Sequence, residues 1–396
     1  MQSDEIFKKF VVEHADDDIN TLILNTSRYK EVNIKRAVEQ IAARRIIREK
    51  LPTWYENPDV IYPSTLAAEQ CSSELTARYK QRFVNEEDIV CDLTGGLGVD
   101  TYYFSRKSRQ VIYIERDTKF CEAAVRNFQT LQADNIKVLN ADSTQLPNYT
   151  LHTEHYTLYL DPSRRGAANK RLYALEDCEP DLTEIWPKML PVADKIIVKL
   201  SPMLDISLLV KKLAGIFEIH LVSVRNDCKE MLVVAENSTN DFLKICCINY
   251  LSNQSEQSFA FLWDEEKTAT VRLASEVKKY LYEPNVSILK AGAFKSAAQP
   301  FNIEKLHPDS HLYTSNENIR DFPGRRFDVT AVYPFHNQTC KELSKSVPQA
   351  NIAVRNFPLS AEALRKRLKI RDGGEVYLFG ATLFDGRRVL IYCVKA

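Results

Sequence analysis

The chain has 396 residues, of which 44% are hydrophobic and 27% are charged, a composition that predicts a globular protein of two to four domains and disfavours disorder. Lys and Arg together number 53, as do Asp and Glu, so no overall charge draws the whole chain to nucleic acid or a membrane. The opening MQSDEIFKKF lacks a signal-peptide pattern and no apolar run approaches the roughly 20 residues of a membrane-spanning helix, so we expect a cytoplasmic protein.

Cysteine and histidine are the usual ligands of structural metals, and both are present. The nine cysteines are scattered without a CxxC pair, and the seven histidines show no metal-ligand spacing. We therefore expect reduced cysteines, mostly packed in the core, and no metal site.

The first 85 residues have the pattern of helices. The stretch NIKRAVEQIAARRIIREK places Ile34, Val38, Ile41 and Ile46 near helical spacing, and STLAAEQCSSELTARYKQRF follows after Pro63. We predict a helical N-terminal domain over residues 1–85.

Residues 86–238 alternate short β-rich runs with helical stretches. The runs are DIVCDL, QVIYIE, IKVLN, TLYLDP, KIIVKL, FEIHLVSV and EMLVVAE. This alternation predicts an α/β domain with a Rossmann-like, mostly parallel sheet covered on both faces. The last two runs are so close in sequence that they should pair as an antiparallel hairpin at the sheet edge.

The remaining residues predict small α+β domains. Residues 239–322 contain the strand-like runs KICCINYL and SFAFLW, and we assign them to a small linking domain. Residues 323–396, which begin near PGRRFDVTAVYP, have the pattern of a strand, a helix and two strands.

Three of the predicted strands end on an acid, at Asp92, Glu115 and Asp161. Ligands of open α/β sheets bind at the carboxyl ends of the strands, so these acids should share a site. The turn DLTGGLGVD after the first strand does not fit the dinucleotide pattern GxGxxG, and Asp92 would repel a pyrophosphate. S-adenosylmethionine carries an ammonium and a sulfonium without phosphate, and it therefore suits this acidic site.

The other acids are expected to bind the rest of this cofactor. Glu115 can accept hydrogen bonds from both ribose hydroxyls, and Asp142 in NADSTQL can accept one from the adenine amino group. An Asx turn or helix cap is an equal alternative for Asp142 and Ser143.

The four motifs DLTGGLGVD, YIERD, NADS and LDPSRRG, in this order, resemble those of class I S-adenosylmethionine-dependent methyltransferases over residues 88–236. The resemblance implies that Asp92, Thr94, Gly95, Gly96 and Gly98 hold the methionine end, Glu115 the ribose, and Asp142 with Ser143 the adenine. More narrowly, AAEQCSSELTARYK, KLSPMLD, NDCKEMLVV, YLYEPN and AGAF resemble bacterial methyltransferases that carry a ferredoxin-like domain and a C-terminal THUMP-like domain. That resemblance implies a ferredoxin-like domain within 239–322 and a THUMP-like domain over 323–396.

The sequence DPSRRG is similar to the D/N-P-P-x motif of enzymes that methylate amino groups of bases. We expect the Asp161 carboxylate and the Pro162 carbonyl to hold such an amino group in line with the methyl donor. Ser163 stands where the family has Pro or another residue, and no aromatic residue follows, which leaves the target atom open. Methylation of a pyrimidine C5 is the alternative, but it needs a Cys nucleophile where VKLSPMLD has none, and Cys228 is more easily explained as packing in the hairpin.

Basic residues are the candidates for substrate binding. Arg164 and Arg165 can grip a phosphate or pair with nearby acids, and Lys199 is either functional or an ordinary strand-end lysine. Residues 321–396 hold 13 Lys and Arg against 7 Asp and Glu, a net +6, concentrated in SAEALRKRLKIRDGG with Arg365, Lys366, Lys369 and Arg371.

This basic segment suits RNA, although a solvated helix face explains it nearly as well. We therefore predict an enzyme that methylates a base nitrogen of RNA, with guanine N2 as one target. The alternatives are a catalytically silent RNA-binding protein, and an N-methyltransferase acting on a protein or a small molecule.

Overall fold

The structure is a computed structural model that describes residues 2–144, 156–164, 175–237 and 242–396. It divides into two compact units. The first unit contains residues 1–216 and 233–239, and the second contains residues 217–232 and 240–396. Among the described residues, no helix is both long enough and apolar enough to span a lipid bilayer.

The chain begins with helices, as predicted. Several of them start where a side chain accepts a free backbone N–H: Asn33 accepts that of Arg36, Ser64 that of Ala67, and Ser73 that of Thr76. The helices of this region are α1 (Gln2–Glu13), α2 (Ile19–Leu24), α3 (Ile34–Lys50), α4 (Pro52–Tyr55), α5 (Thr65–Gln70) and α6 (Glu74–Lys80).

Strands and helices then alternate: β1 (Ile89–Asp92), α7 (Val99–Ser105), β2 (Gln110–Glu115), α8 (Thr118–Thr130), β3 (Ile136–Asn140), β4 (Tyr156–Leu160), β5 (Ser163–Arg164), β6 (Cys178–Glu179), α9 (Leu182–Met189), β7 (Lys195–Leu200) and α10 (Ile206–Lys212). Strands β7, β4, β1, β2 and β3 are parallel neighbours in that order. The strand order reverses between β1 and β4, and a switch point of this kind opens a crevice at the carboxyl ends of the strands.

The sheet continues with β8 (Ile216–Val224), β9 (Asp227–Ala235), β10 (Lys244–Tyr250) and β11 (Glu256–Leu262), in the full order β11-β10-β8-β9-β7-β4-β1-β2-β3. Strands β8 and β9 form the predicted hairpin, turning at Arg225 and Asn226, both with positive φ. The predicted position of this hairpin at the sheet edge is wrong, because β10 pairs with β8 in parallel. The antiparallel edge hairpin is β10 with β11.

The C-terminal part contains α11 (Trp263–Thr268), β12 (Tyr280–Pro284), α12 (Val286–Ala291), β13 (Glu304–His307), β14 (Ser310–Ser315), β15 (Gly324–Pro334), α13 (Asn337–Ser346), β16 (Asn351–Arg355), α14 (Ala361–Leu368), β17 (Val376–Thr382) and β18 (Arg388–Lys395). Its sheet has the order β13-β14-β12-β15-β18-β17-β16. The sequence prediction for residues 323–396 missed α13 and β16. Ser360 caps α14 and accepts the N–H of Ala363 at 3.1 Å.

The N-terminal helices share a hydrophobic core with the parallel sheet. Ile47 and Trp54 belong to the same buried cluster as Tyr102, Tyr113 and Phe128. Burying side chains of this size stabilises the fold by about 1.5–3 kcal/mol each. The helical region is therefore packed as part of the first unit, and the division into domains 1–85, 86–238, 239–322 and 323–396 stays a prediction.

Candidate active site

In the first unit, a cavity of about 970 Å³ opens at the carboxyl ends of β1, β2, β4 and β7. Its volume suits a ligand of nucleoside size or larger. Asp92, Glu115 and Asp161 all line it, so the three strand-end acids lie together as predicted. The full set of predicted residues in its lining is Asp92, Thr94, Gly95, Gly96, Gly98, Glu115, Asp142, Ser143, Asp161, Ser163 and Lys199.

The Gly-rich turn between β1 and α7 is tightly packed against aromatic rings. A Cβ on Gly95 would lie 2.2 Å from the ring of Tyr113, and a Cβ on Gly98, whose φ is +83°, would lie 2.6 Å from the ring of Phe128. The Tyr113 hydroxyl donates a hydrogen bond to the Gly96 carbonyl at 2.6 Å. These glycines are therefore required by the local packing, which brings the backbone of the turn to the cavity.

Asp92 lies behind this turn and is only 1% exposed. One carboxylate oxygen accepts the Thr101 hydroxyl at 2.5 Å, and the other accepts the Thr94 N–H at 3.1 Å. Burial raises the pKa of Asp92 to about 7, although both hydrogen bonds oppose this rise. Asp92 thus places a titratable negative charge beneath the turn, and both of its oxygens already have protein partners.

Glu115 ends β2, and each of its carboxylate oxygens accepts one backbone N–H. The donors are Gly96 at 3.0 Å and Asp117 at 2.9 Å. These bonds fix the orientation of the carboxylate, and each oxygen retains a lone pair for a further donor. Glu115 can therefore accept two hydroxyls of a ligand at the same time.

Asp142 and Ser143 follow β3. The Asp142 carboxylate accepts the N–H and the hydroxyl of Thr144, at 2.9 and 2.8 Å, and these bonds lower the pKa of Asp142. This is the Asx turn that the sequence offers as the alternative, and it holds both residues in the lining of the cavity.

Asp161 follows β4 directly. Its backbone N–H donates to the Thr94 hydroxyl at 2.6 Å, which ties DPSRRG to the Gly-rich turn. Its carboxylate forms an ion pair with Lys199, whose role the sequence leaves open. The hydroxyl of Ser163 donates to the Glu179 carbonyl at 3.4 Å, within the short pairing of β5 with β6. Pro162 follows Asp161, whereas the side chain of Arg164 and the whole of Arg165 lie outside the described residues.

The N-terminal helices form a wall of the cavity that sequence reasoning missed. The additional lining residues of this wall are Ser64, Leu66, Ala67, Gln70, Cys71 and Ser72. Ile114, Arg116 and Phe120 also line the cavity beside Glu115. The helical pattern predicts α5 but not the face that it turns to the cavity. The only sequence signal is the run of small and polar residues QCSS between α5 and α6.

A buried ionic network lies behind this wall. The Lys80 ammonium is fully buried and lies 3.0 Å from Asp100 Oδ1 and 2.9 Å from the Ser72 hydroxyl. The hydroxyls of Ser72 and Tyr159 both donate to Asp100 Oδ2 at 2.7 Å. Burial alone would raise the pKa of Asp100, but the charges of Lys80 and Lys199 hold it below its ordinary value.

The basic C-terminal residues are in the second unit, on and after α14. Arg365 pairs with Asp372 at 2.5 Å and Lys366 pairs with Glu362 at 2.8 Å. Lys369 ends the helix in a left-handed conformation and is exposed. Much of the predicted basic edge is therefore neutralised locally.

Strands β8 and β10 carry a polar cluster in the second unit. Atoms of Glu218, His220 and Cys246 that could act as metal ligands lie within 4.8 Å of one another. The Glu218 carboxylate, however, already contacts His220 at 3.0 Å and Lys244 at 3.1 Å. Both oxygens of this carboxylate therefore already have protein partners.

Comparison with known proteins agrees with this architecture. A crystal structure from Porphyromonas gingivalis W83, described as a "putative methyltransferase", is 36% identical in sequence, with a TM-score of 0.88 over 99% of this chain and 98% of that chain. Sequence profiles of a ferredoxin-like domain and of a THUMP-like domain match residues 280–323 and 324–395.

More distant structures match a smaller part of the chain. An rRNA methylase from Streptococcus thermophilus is 17% identical, with a TM-score of 0.32 over 41% of this chain and 93% of that chain. A protein from Streptococcus mutans, solved with S-adenosylhomocysteine (SAH), is 15% identical, with a TM-score of 0.29 over 41% and 96%. A search of curated protein sequences gave no significant match.

Proposed function

Because this chain belongs to the class I S-adenosylmethionine-dependent methyltransferases, in the bacterial group with a ferredoxin-like and a C-terminal THUMP-like domain, we propose that it methylates a nitrogen of a base in RNA. Guanine N2 is one target that fits. A cytoplasmic location is part of this proposal.

One observation carries the proposal: Asp92, Glu115 and Asp161 line a single cavity beside a Gly-rich turn. Anionic side chains at this position favour a cationic ligand and disfavour a phosphorylated one. The donor set therefore fits S-adenosylmethionine, which when bound supplies a methyl group already activated on a sulfonium leaving group.

Each side of the cavity has a separate role in this proposal. The turn at Thr94, Gly95, Gly96 and Gly98 holds the methionine end, with the charge of Asp92 beneath it. Glu115 accepts the ribose hydroxyls through its two oriented oxygens. Asp142 and Ser143 contact the adenine.

Asp161 and Pro162 act on the substrate. An exocyclic amine is a weak nucleophile because its lone pair is delocalised into the ring, so its orientation matters. The Asp161 carboxylate and the Pro162 carbonyl accept its two N–H bonds and align its nitrogen, while the bond from the Asp161 N–H to Thr94 fixes their position. Asp161 or water accepts the proton released after transfer.

The thiols near the cavity favour nitrogen over carbon as the target. Methylation of C5 needs a reactive thiolate. Cys71 lines the cavity, but burial raises the pKa of its thiol, which opposes that role. Cys228 lies on β9 in the second unit, and burial raises its pKa as well.

The THUMP-like match and the net +6 of residues 321–396 support RNA as the substrate. Arg365, Lys366 and Lys369 contact phosphates in this proposal, as do Arg164 and Arg165. Contacts to the phosphates position the RNA, and the cavity then selects the base.

The experiment combines a transfer assay with a chemical readout. RNA from a strain lacking this gene is incubated with the purified protein and methyl-labelled S-adenosylmethionine, and the labelled nucleoside is identified by mass spectrometry. We expect one N-methylated nucleoside that is missing from the deletion strain. Label in protein or in a small molecule would favour the alternative N-methyltransferase, and binding of RNA without cofactor binding would favour a silent RNA-binding protein.

A further inference from the structure

Lys199 is a charged residue of the cavity that the proposed transfer has not yet used. It lies near the carboxyl end of β7, next to β4, where Leu160 pairs with Val198. Its side chain is only 14% exposed, and its ammonium forms an ion pair with the Asp161 carboxylate, which is 32% exposed. The residue proposed to receive the substrate amine is therefore already paired with a cation.

Lys199 is itself held from a second direction. Its Nζ lies 3.3 Å from the Ser72 hydroxyl, and Ser72 is fixed by Lys80 and Asp100 in the buried network. This network contains two lysines and two aspartates when Lys199 and Asp161 are included. Because Lys80 is completely buried and Asp100 is nearly so, the anchor is rigid.

We propose that Lys199, anchored on Ser72, is a positioning residue for Asp161, and that its charge sets how strongly the cavity prefers a cationic methyl donor over the neutral product. The proposal rests on the proposed function and adds the N-terminal helical wall to the reaction centre.

The physical basis is the charge of the ligands. S-adenosylmethionine and SAH share every ionisable group and differ by the methyl group and the positive charge of the sulfonium. The pairing with Lys199 reduces the negative charge that Asp161 contributes to the cavity. A neutral residue at position 199 would leave the Asp161 carboxylate uncompensated. The extra negative charge would strengthen the binding of S-adenosylmethionine, which carries the sulfonium, but not that of SAH. We therefore expect the native lysine to orient the Asp161 carboxylate and, at the same time, to weaken the preference of the cavity for S-adenosylmethionine over SAH.

The test measures by calorimetry the dissociation constants of both ligands and takes their ratio, SAH over S-adenosylmethionine. We expect Lys199→Met to raise this ratio by roughly fivefold or more and Asp161→Asn to lower it by a similar factor. The double variant, which lacks both charges, should return close to the native ratio, because Lys199→Met acts by leaving the Asp161 charge uncompensated. A double variant that keeps the raised ratio of Lys199→Met would overturn the proposal, since the effect would then not depend on Asp161.

Matched controls separate charge from structure. Lys199→Arg keeps the cation and should stay within about twofold of the native ratio. Lys195→Met removes a lysine of the same strand whose ammonium donates to the Phe83 carbonyl, and it should leave the ratio unchanged. If Lys199→Met does not fold, Lys199→Gln supplies the neutral variant.

The outcomes distinguish this proposal from the one on which it rests. If the native protein binds neither ligand, the proposed function fails, and this inference with it. If the native protein binds both and neutral variants at position 199 leave the ratio unchanged, only the role of Lys199 is refuted.

Discussion

The cavity of the first unit and helix α14 of the second unit both concentrate charge, but in different surroundings. Around the cavity, Asp92 and Asp100 are buried and fixed by hydrogen bonds, and their pKa values are displaced. On α14, Arg365 and Lys366 are paired with nearby acids at the surface. Burying a charged group costs desolvation energy, so buried charges indicate a site for a specific ligand. Solvated charges with local partners contribute mainly a long-range attraction for ligands of opposite charge.

The largest expected effect concerns Asp161. Asp161→Ala should reduce methyl transfer by about 10²- to 10⁴-fold, because the amine loses both its acceptor and its orientation. The dissociation constant of SAH should change by less than about fivefold. Transfer is measured with labelled donor and binding by calorimetry. Native activity in the variant would remove Asp161 from the mechanism.

The buried network should be essential for stability. Lys80→Met leaves the Asp100 carboxylate without its closest cation in a buried site, and we expect a loss of about 3–5 kcal/mol in the free energy of unfolding. Urea unfolding measures this loss. Lys107→Met, at an exposed position, is the control and should cost less than about 0.5 kcal/mol. Equal stability of the two variants would contradict the burial of the ion pair between Lys80 and Asp100.

Glu115→Gln tests the ribose contact. The neutral amide cannot accept two ligand hydroxyls in the same way, so cofactor affinity should fall by about 10- to 100-fold. Glu122→Gln, at an exposed position of α8, serves as the control. Equal affinities of the two variants for the cofactor would show that Glu115 does not contact the ribose.

The raised pKa of Asp92 predicts a dependence on pH. Affinity for the cationic donor should rise by about threefold to tenfold between pH 6 and pH 8, as Asp92 ionises near pH 7. Asp92→Asn should remove this dependence. Titration of the ligand's own amino group affects both proteins equally, so parallel curves for native protein and variant would refute the assignment.

The same group links stability to pH. Its folded pKa lies above its ordinary value of 3.8, so its favourable contribution is complete below about pH 3.8 and declines as the pH rises to about 7. Thermal melting across this range should therefore show a steeper loss of stability in the native protein than in Asp92→Asn. Identical slopes would contradict the buried titrating acid.

The smallest effect is expected on α14. Lys369→Ala should lower the dependence of RNA affinity on salt by less than one unit in the slope of log K against log salt, as one phosphate contact would. Arg365→Ala and Lys366→Ala should change it less, because both side chains have acidic partners. Lys341→Ala, exposed on α13, is the control. A loss of RNA binding in Lys341→Ala alone would indicate that the RNA-binding surface does not include α14.

The clustering of the strand-end acids was easier to predict from the sequence than the topology of the rest of the sheet. Asp92, Glu115 and Asp161 could be placed together because parallel strands bring all their carboxyl ends to one edge, whatever the details of packing. The position of the β8–β9 hairpin could not be predicted. Whether β10 joins the same sheet depends on long-range pairing that leaves no local signal.

Side-chain partners were the other limit of sequence reasoning. Ser72, Lys80, Asp100 and Lys199 are separated by up to 127 positions, and their network exists only because α6, α7 and β7 meet. A lysine in an amphipathic helix, such as Lys80, is usually solvated, so its complete burial could not be inferred from periodicity. Helix α13 was missed because its cap is His336, which is not among the favoured cap residues.

The central claim is that strand-end acids select a cationic methyl donor and reject a phosphorylated cofactor. Calorimetric titration of the native protein at pH 7.5 with S-adenosylmethionine, and separately with NAD⁺, tests it most directly. The account predicts one saturable site per chain for S-adenosylmethionine and no measurable binding of NAD⁺. Binding of NAD⁺ with equal affinity, or no heat with S-adenosylmethionine, would contradict it.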